Sequence, residues 1–170
     1  MSTTATATGR REERDGTTYV VFRREFRAPV ADVWASVTEP KRLERWIGTW
    51  TGDPTSGSVD FRMTAEAEDA PVEAHRILEC DPPRRLVTES SSPEDETVWR
   101  IELDLVETDG VTVLTFGQRL ETAVPVDSVG PGWDYYLDRL VEAHADRDVS
   151  GVVWDDYYPA LSEHYRAEFS

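Results

Sequence analysis

The first residues of the chain show no regular spacing of apolar side chains. Residues 1–16 are small, polar or charged, which is typical of a disordered tail. The pattern changes after this tail, where Val20, Phe22 and Phe26 lie at even spacings, as in a β-strand with one buried face. We therefore predict a disordered tail over residues 1–16 and a folded domain over residues 17–148.

Two short helices are predicted directly after this first strand. Proline is tolerated in the first turn of a helix, and both Pro29 and Pro40 precede apolar residues at helical spacing. The apolar positions of the two helices are Val30, Val33, Trp34 and Val37, then Leu43, Trp46 and Ile47. These stripes predict that each helix packs one face against the rest of the domain.

A long stretch of alternating apolar and polar residues follows the helices and predicts about six β-strands. The clearest strand carries Trp99, Ile101 and Leu103 on one face. Asp109-Gly110 predicts a tight hairpin turn after it, because this pair readily adopts positive φ angles. The serine-rich and acidic segment Ser90–Glu96 is predicted to be a solvated loop. Strands joined by such short turns pair antiparallel.

The spacing changes again near the C-terminus and predicts a long helix over residues 133–145. Five residues have offsets of 0, 3, 4, 7 and 11 and therefore share one helix face: Trp133, Tyr136, Leu137, Leu140 and His144. A further short helix is expected around residues 160–169, in a C-terminal extension, residues 149–170, that packs on the domain. This order of elements predicts an α+β fold in which a curved antiparallel sheet wraps around the long C-terminal helix.

Composition disfavours several classes of protein. The chain has 170 residues with 34 Asp and Glu against 18 Lys and Arg, so its formal net charge is -16 and nucleic acid is an unfavourable partner. No apolar run approaches the roughly 20 residues of a membrane span, so no integral membrane segment is expected. The single Cys80 cannot form an internal disulfide, and the N-terminus carries no apolar targeting segment. We therefore expect a cytoplasmic protein.

Four groups of residues occur in an order that is more specific than any one of them. They are Phe26–Val30 with Val33 and Trp34, Glu39-Pro40 with Leu43 and Trp46, Leu78–Val87, and Gly132-Trp133 with Leu137–Leu140. Together they resemble the activator of heat-shock protein 90 ATPase homologue-like family, within the START-like, helix-grip (SRPBCC) superfamily. The resemblance spans roughly residues 19–148. It implies a helix-grip fold with a cavity, in a superfamily of lipid, polyketide and hormone binders that includes some cyclases and hydrolases.

Sequence motifs for common chemistries are missing. There is neither a G-x-G-x-x-G nor a G-x-x-x-x-G-K-[ST] phosphate loop, and there is no G-x-S-x-G nucleophile elbow. His75, His144 and His164 lie far apart in the sequence and form no H-x-x-x-H pattern. We therefore assign no catalytic residue, no metal site and no cofactor from the sequence.

Aromatic residues provide the best candidates for a ligand-binding site. The aromatic residues predicted to point inward are Trp34, Trp46, Phe61, Trp99, Trp133 and Tyr136. Leu140 and His144 share the buried stripe of the long helix and complete the candidate set. Rings at such positions fit either ordinary core packing or a cavity wall, because a curved sheet around one helix encloses a volume that rings fill or line. For His144, a helix-end cation and a polar anchor for a ligand are both open.

Three functions remain open at this stage. The first hypothesis is a binding protein that holds a hydrophobic or amphipathic small molecule between the sheet and the long helix. The second is an enzyme of the cyclase or hydrolase type, for which His144 and Tyr136 would supply ionisable groups. The third is a chaperone-associated protein, as the name of the family implies. The extension over residues 149–170 either covers the sheet or forms the contact of a homodimer.

Overall fold

One antiparallel sheet carries the fold in the computed structural model, which describes residues 5–67, 69–92, 95–121 and 124–170. Its eight strands are β1 Arg10–Arg14, β2 Thr17–Phe26, β3 Thr49–Thr51, β4 Ser58–Arg62, β5 Glu73–Asp81, β6 Arg85–Ser92, β7 Asp95–Thr108 and β8 Val111–Arg119. They are arranged in the order β1-β2-β8-β7-β6-β5-β4-β3. Because β8 returns to pair with β2, the strand that opens the predicted domain lies beside the strand that closes the sheet.

One pair of helices interrupts the strands along the chain, and a second pair follows the last strand. Between β2 and β3 lie α1 (Val30–Thr38) and α2 (Pro40–Leu43), and after the sheet come α3 (Val126–His144) and α4 (Ser162–Glu168). A core of apolar side chains from β2, β7 and β8 packs against α1 and α3. The predicted α+β architecture is confirmed: a curved antiparallel sheet with a long C-terminal helix, and two short helices after the predicted first strand.

The turn between β7 and β8 forms as the sequence predicts. Asp109 and Gly110 have φ angles of 51° and 81°, and the flanking residues Thr108 and Val111 pair across the hairpin. Positive φ at both central positions gives the turn a twist that matches the twist of the strands it joins. The register of β7 and β8 therefore starts from a turn of two residues.

The prediction of a disordered tail is wrong for residues 10–14. These residues form β1, which pairs antiparallel with β2 from Arg10 opposite Val21 to Arg14 opposite Thr17. The turn between the two strands is Asp15-Gly16, with φ angles of 52° and 80°, so it repeats the chemistry of the Asp-Gly hairpin between β7 and β8. Polar side chains concealed this strand, because an edge strand with exposed faces needs no apolar alternation.

The prediction of a solvated loop over Ser90–Glu96 is also wrong for most of its length. Strand β6 continues to Ser92 and β7 begins at Asp95, while residues 93 and 94 lie outside the described residues. Strand pairing here is made by backbone hydrogen bonds, which do not depend on the polarity of the side chains. The pattern of apolar residues therefore underestimates the length of this hairpin.

Helix α3 begins at Val126 rather than at Trp133, because Gly130 and Pro131 lie inside the helix instead of before it. Both residues are buried. A Cβ atom at Gly130 would lie 2.5 Å from ring atoms of Tyr165 on α4, so this position requires the absence of a side chain. The close contact between α3 and α4 therefore requires a glycine at this position.

A buried polar network ties the extension to the domain. The carboxylate of Asp134 on α3 is fully buried and accepts hydrogen bonds from the hydroxyls of Thr8 and Tyr165. The guanidinium of Arg24 on β2 lies 3.2 Å from it and 3.1 Å from the carboxylate of Asp138. Burial raises the pKa of Asp134, whereas the two hydroxyls and Arg24 favour its charged form. One carboxylate therefore joins the N-terminal residues, β2, α3 and α4.

The face of the sheet that points away from α3 carries a second charged network. Glu102 on β7 is buried there, and three arginines surround its carboxylate: Arg85 at 2.8 Å, Arg100 at 3.3 Å and Arg14 at 3.6 Å. Arg85 also contacts Asp104 at 2.9 Å. Arginine thus neutralises the acidic side chains of this outer face.

We predict that replacing Gly130 with alanine destabilises the fold, whereas the same change at Gly132 does not. The new methyl at residue 130 meets the buried ring of Tyr165, and such overpacking costs about 1–3 kcal/mol. At residue 132 the nearest atom lies 3.9 Å away in Trp154, so the better helix propensity of alanine should add up to about 1 kcal/mol. Urea unfolding followed by circular dichroism measures the free energy of unfolding of both variants. Equal free energies of unfolding for the two variants would contradict the packing described here.

Candidate functional site

A cavity of about 830 Å³ lies between the concave face of the sheet and α3. Strands β4 to β8 supply its floor, α3 its roof, and the segment that follows α2 one side. The sheet curves around the helix but does not contact it everywhere. Side chains at the N-terminal half of α3 therefore face open space rather than a filled core.

Five of the eight candidate residues line this cavity: Trp46, Phe61, Trp99, Trp133 and Tyr136. Two of them are also held by polar contacts. The indole N–H of Trp133 donates to the side-chain oxygen of Gln118 at 2.5 Å, and that of Trp46 donates to the carbonyl of Ser36 at 2.9 Å. These hydrogen bonds fix the orientation of two rings at the cavity wall.

Trp34 lies elsewhere, in a smaller adjoining cavity of about 280 Å³. Both cavities are lined by Leu43, Phe61 and His75, which form the boundary between them. Trp34 projects from α1 into the smaller space, on the far side of this boundary. The sequence pattern correctly assigned the ring to an inward face but did not distinguish the two spaces.

Leu140 and His144 do not line either cavity among the described residues. Leu140 is fully buried in the core. The Nδ1 atom of His144 lies 3.0 Å from the hydroxyl of Ser36, and its ring meets Phe26 edge-on at 5.0 Å. The helix rises about 16 Å between Trp133 and His144, so the C-terminal half of α3 packs beneath α1, beyond the cavity. Burial lowers the pKa of His144, which does not favour a helix-end cation.

His75 is a cavity residue that the sequence analysis did not select. It lies on β5 and packs against Phe61 with a distance of 4.9 Å between ring centroids. Only 18% of its side chain is exposed, and its Nε2 atom has no hydrogen-bond partner among the described residues. Burial lowers its pKa to about 4, so the imidazole is neutral at neutral pH. The signal was present in the sequence, since His75 alternates with Ile77 on the inward face of the strand.

Two carboxylates also reach the cavity, from Glu66 and Glu73. Burial and the nearby negative charge of Glu66 raise the pKa of Glu73. The hydroxyl of Tyr136 donates to a carboxylate oxygen of Glu66 at 3.2 Å, and burial together with this carboxylate raises the pKa of the phenol. The cavity therefore combines apolar rings with a neutral imidazole, a phenol and two acidic groups.

Trp154 brings the C-terminal extension to the same site. It lines the cavity, yet 41% of its surface is exposed, so it lies at the opening to solvent. Its ring meets Tyr135 of α3 edge-on at 5.2 Å and stacks on Tyr158 at 5.7 Å. No pattern around Trp154 indicates this position, because it depends on how the extension folds back along α3.

Among the described residues, no group of three or more His, Cys, Asp or Glu side chains is close enough to hold a metal ion. In the same part of the chain, every helix is too short or too polar to cross a membrane.

Comparison with known sequences gives one family. A sequence model of the family described as "Activator of Hsp90 ATPase homolog 1-like protein" matches residues 27–145. This region contains both short helices, strands β3 to β8 and the whole of α3. A search of curated proteins finds no match.

Solved structures share the fold over most of the chain. CalU16 from Micromonospora echinospora has a TM-score of 0.69 at 24% identity, with 95% of each chain covered. Protein EF2215 from Enterococcus faecalis, of unknown function, has a TM-score of 0.70 at 18% identity and covers 94% of this chain and 89% of its own. DynU16, of the dynemicin biosynthetic locus, has a TM-score of 0.59 at 22% identity over 72% of this chain and 45% of its own. At these identities the likeness shows a common fold.

We predict that the ring protons of His75 titrate in NMR spectra with a midpoint near pH 4, far below the ordinary value of 6.5. The folded state binds the proton less readily than the unfolded state does. The stability contributed by neutral His75 is therefore fully present above pH 6.5 and is lost as the pH falls toward about 4. A His75→Gln variant assigns the resonance. A midpoint close to 6.5 would show that the ring is solvated rather than buried against Phe61.

Proposed function

Because this chain belongs to the activator of Hsp90 ATPase homolog 1-like family, whose fold supports ligand binding, we propose that it is a small-molecule binding protein. Its ligand is a hydrophobic or amphipathic molecule that occupies the cavity between the sheet and α3. The rings of Trp99, Trp133 and Tyr136 contact the apolar body of this ligand.

The cavity itself is the observation that supports this proposal. Protein interiors are normally close-packed, and empty space of this size costs stability because its lining atoms lose their contacts. A volume of about 830 Å³ lies within the range of about 300–1,000 Å³ that is typical of small-molecule sites. An aromatic wall with a few polar groups is also the usual composition of such a site. A bound ligand would restore the contacts that the packing of the chain leaves unmade.

Structural neighbours agree with a role in small-molecule metabolism. DynU16 comes from the dynemicin biosynthetic locus, and CalU16 is similar over 95% of this chain. This extension places Trp154 at the opening of the cavity. We infer that the extension is part of the binding site rather than an appendage.

An enzyme of the cyclase or hydrolase type is the second candidate, and the polar groups in the cavity favour it. His75 and Glu73 have shifted pKa values and lie 3.8 Å apart, Nε2 to Oε2, in the same cavity. Ionisable groups with shifted pKa values are typical of active sites. Mass spectrometry of a bound molecule before and after incubation distinguishes the two candidates: a binding protein returns it unchanged, and an enzyme changes its mass or its isomeric form.

We predict that a panel of fatty acids, flavonoids and polyketide-like aromatic compounds contains at least one ligand that quenches tryptophan fluorescence and raises the melting temperature. Quenching is expected because Trp46, Trp99 and Trp133 line the cavity and Trp154 lies at its opening. A ligand at 100 times its Kd stabilises the fold by about 2.7 kcal/mol. If no compound changes either signal, the binding proposal loses its support.

Three variants locate the bound molecule. Trp99→Ala removes a ring from the main cavity and should weaken binding about tenfold, which corresponds to about 1.4 kcal/mol. Trp34→Ala is the matched control, since this ring lies in the smaller cavity. His144→Leu tests the histidine at the C-terminal end of α3, beyond the cavity, and should leave affinity unchanged. A loss of binding in His144→Leu without loss in Trp99→Ala would place the ligand elsewhere.

A further inference from the structure

We propose that the cavity selects ligands with a positively charged amine on an aromatic or other apolar body, and that it rejects carboxylates of the same shape. This inference rests on the proposed binding function and specifies the chemical class of the ligand. It follows from the charges that face the cavity and from the rings around them.

The charged side chains of the cavity wall are all acidic among the described residues. Glu66 and Glu73 reach the cavity, and no lysine or arginine lines it. Both acids approach from the side on which β4 and β5 pair, where Glu73 lies opposite Phe61. A ligand carboxylate would add a third negative charge in a partly desolvated space, whereas an ammonium group would offset the two already there.

Arg139, whose charge acts on Tyr136 beside Glu66, is committed to other partners. Arg139 on α3 donates to the carbonyl of Trp46 at 2.9 Å and to the hydroxyl of Tyr135 at 3.3 Å, and its guanidinium lies over the ring of Tyr135. Glu66 is bonded by Tyr136, a neutral phenol, and Glu73 faces His75, which is neutral at neutral pH. In the part of the chain that the structure describes, no cationic side chain therefore pairs with either carboxylate.

On the outer face of the same sheet, by contrast, a buried acid does have arginine partners. There, Glu102 is surrounded by Arg14, Arg85 and Arg100, so a buried acid is paired with several guanidinium groups. On this outer face, which points away from the cavity, the buried acid is thus paired with arginine. Glu66 is exposed and Glu73 is half-buried, and neither pairs with a lysine or arginine among the described residues, so a cation in the ligand is the group that completes the site.

The aromatic wall strengthens the same preference. The face of an indole or phenol ring attracts cations, with tryptophan the strongest of the aromatic side chains. Trp46, Trp99 and Trp133 line the space into which the two acids project. Rings around an ammonium group, with carboxylates beside them, form the kind of cage that recognises amines.

Three probes on one ring system test this inference: pyrenemethylamine, pyrenemethanol and pyreneacetic acid, titrated by fluorescence at pH 7. We expect the amine to bind about tenfold or more tightly than the acid, with the alcohol between them. Equal affinities for amine and acid, or tighter binding of the acid, would overturn the inference and leave the binding function intact. No binding of any of the three would count against the proposed function as well.

The overall charge of -16 attracts any cation, so a matched pair of variants must separate the cavity from the surface. Glu73→Gln removes one charge from the cavity and keeps the shape of the side chain. Asp60→Asn removes one charge from the neighbouring strand β4, where Asp60 alternates with Phe61 and points to the opposite face.

We expect Glu73→Gln to reduce the preference for amine over acid about threefold to tenfold, and Asp60→Asn to leave it unchanged. Melting temperatures measured without ligand show whether each variant keeps its fold. An equal effect of both variants, or no effect of Glu73→Gln, would overturn the assignment of selectivity to the cavity acids.

Discussion

The fully buried carboxylate of Asp134 is the interaction on which the arrangement of this chain depends. A buried charge is costly unless hydrogen bonds and an opposite charge compensate it, and here Thr8, Tyr165 and Arg24 do so from three different parts of the chain. The hydroxyl of Tyr165 in turn accepts a hydrogen bond from the backbone N–H of Gly9 at 3.0 Å. The segments around Thr8 and around Tyr165 are therefore held against the middle of α3, and neither can leave without exposing an unsatisfied group.

The two faces of α3 therefore contact different parts of the protein. One face carries Asp134 and Asp138 toward the extension, where Tyr157 donates to Asp138 at 2.6 Å. The other face carries Trp133 and Tyr136 toward the cavity. Because the polar face is fixed by several contacts, the cavity can remain open on the other side without loss of the fold. The same anchoring holds the extension so that Trp154 reaches the opening of the cavity.

The two faces of the sheet differ in how their acidic side chains are paired. On its outer face, acidic and basic side chains form a network around Glu102. On its inner face, Glu73 lies beside a neutral histidine, and its pKa is raised by burial and by the charge of Glu66. Glu73 is half-buried and has no cationic side chain beside it among the described residues, and ionisable groups with shifted pKa values are typical of functional sites. A binding protein and an enzyme would both make use of this property.

The periodicity of the sequence by itself determined most elements, because their signals are local. Alternation identified the strand around Trp99, helical spacing identified α1 and the stripe of α3, and Asp109-Gly110 fixed a hairpin through the φ angles its residues tolerate. Alternation also placed Phe61 and Trp99 on inward faces, and helical spacing did the same for the other four candidate rings. These properties depend on neighbours within a few positions, so a single sequence contains them.

Other features were decided only by tertiary structure, because they depend on residues far apart in the chain. Strand β1 forms on an edge that β2 offers, and Gly130 is required by the ring of Tyr165, 35 positions later. His144 lies on the predicted stripe but beyond the cavity, since a straight helix carries it away from the space that the curved sheet leaves open. His75 and Trp154 reach the cavity through the curvature of the sheet and the return of the extension along α3. Local periodicity shows which side of an element faces inward, but the position of the empty space depends on how the elements pack together.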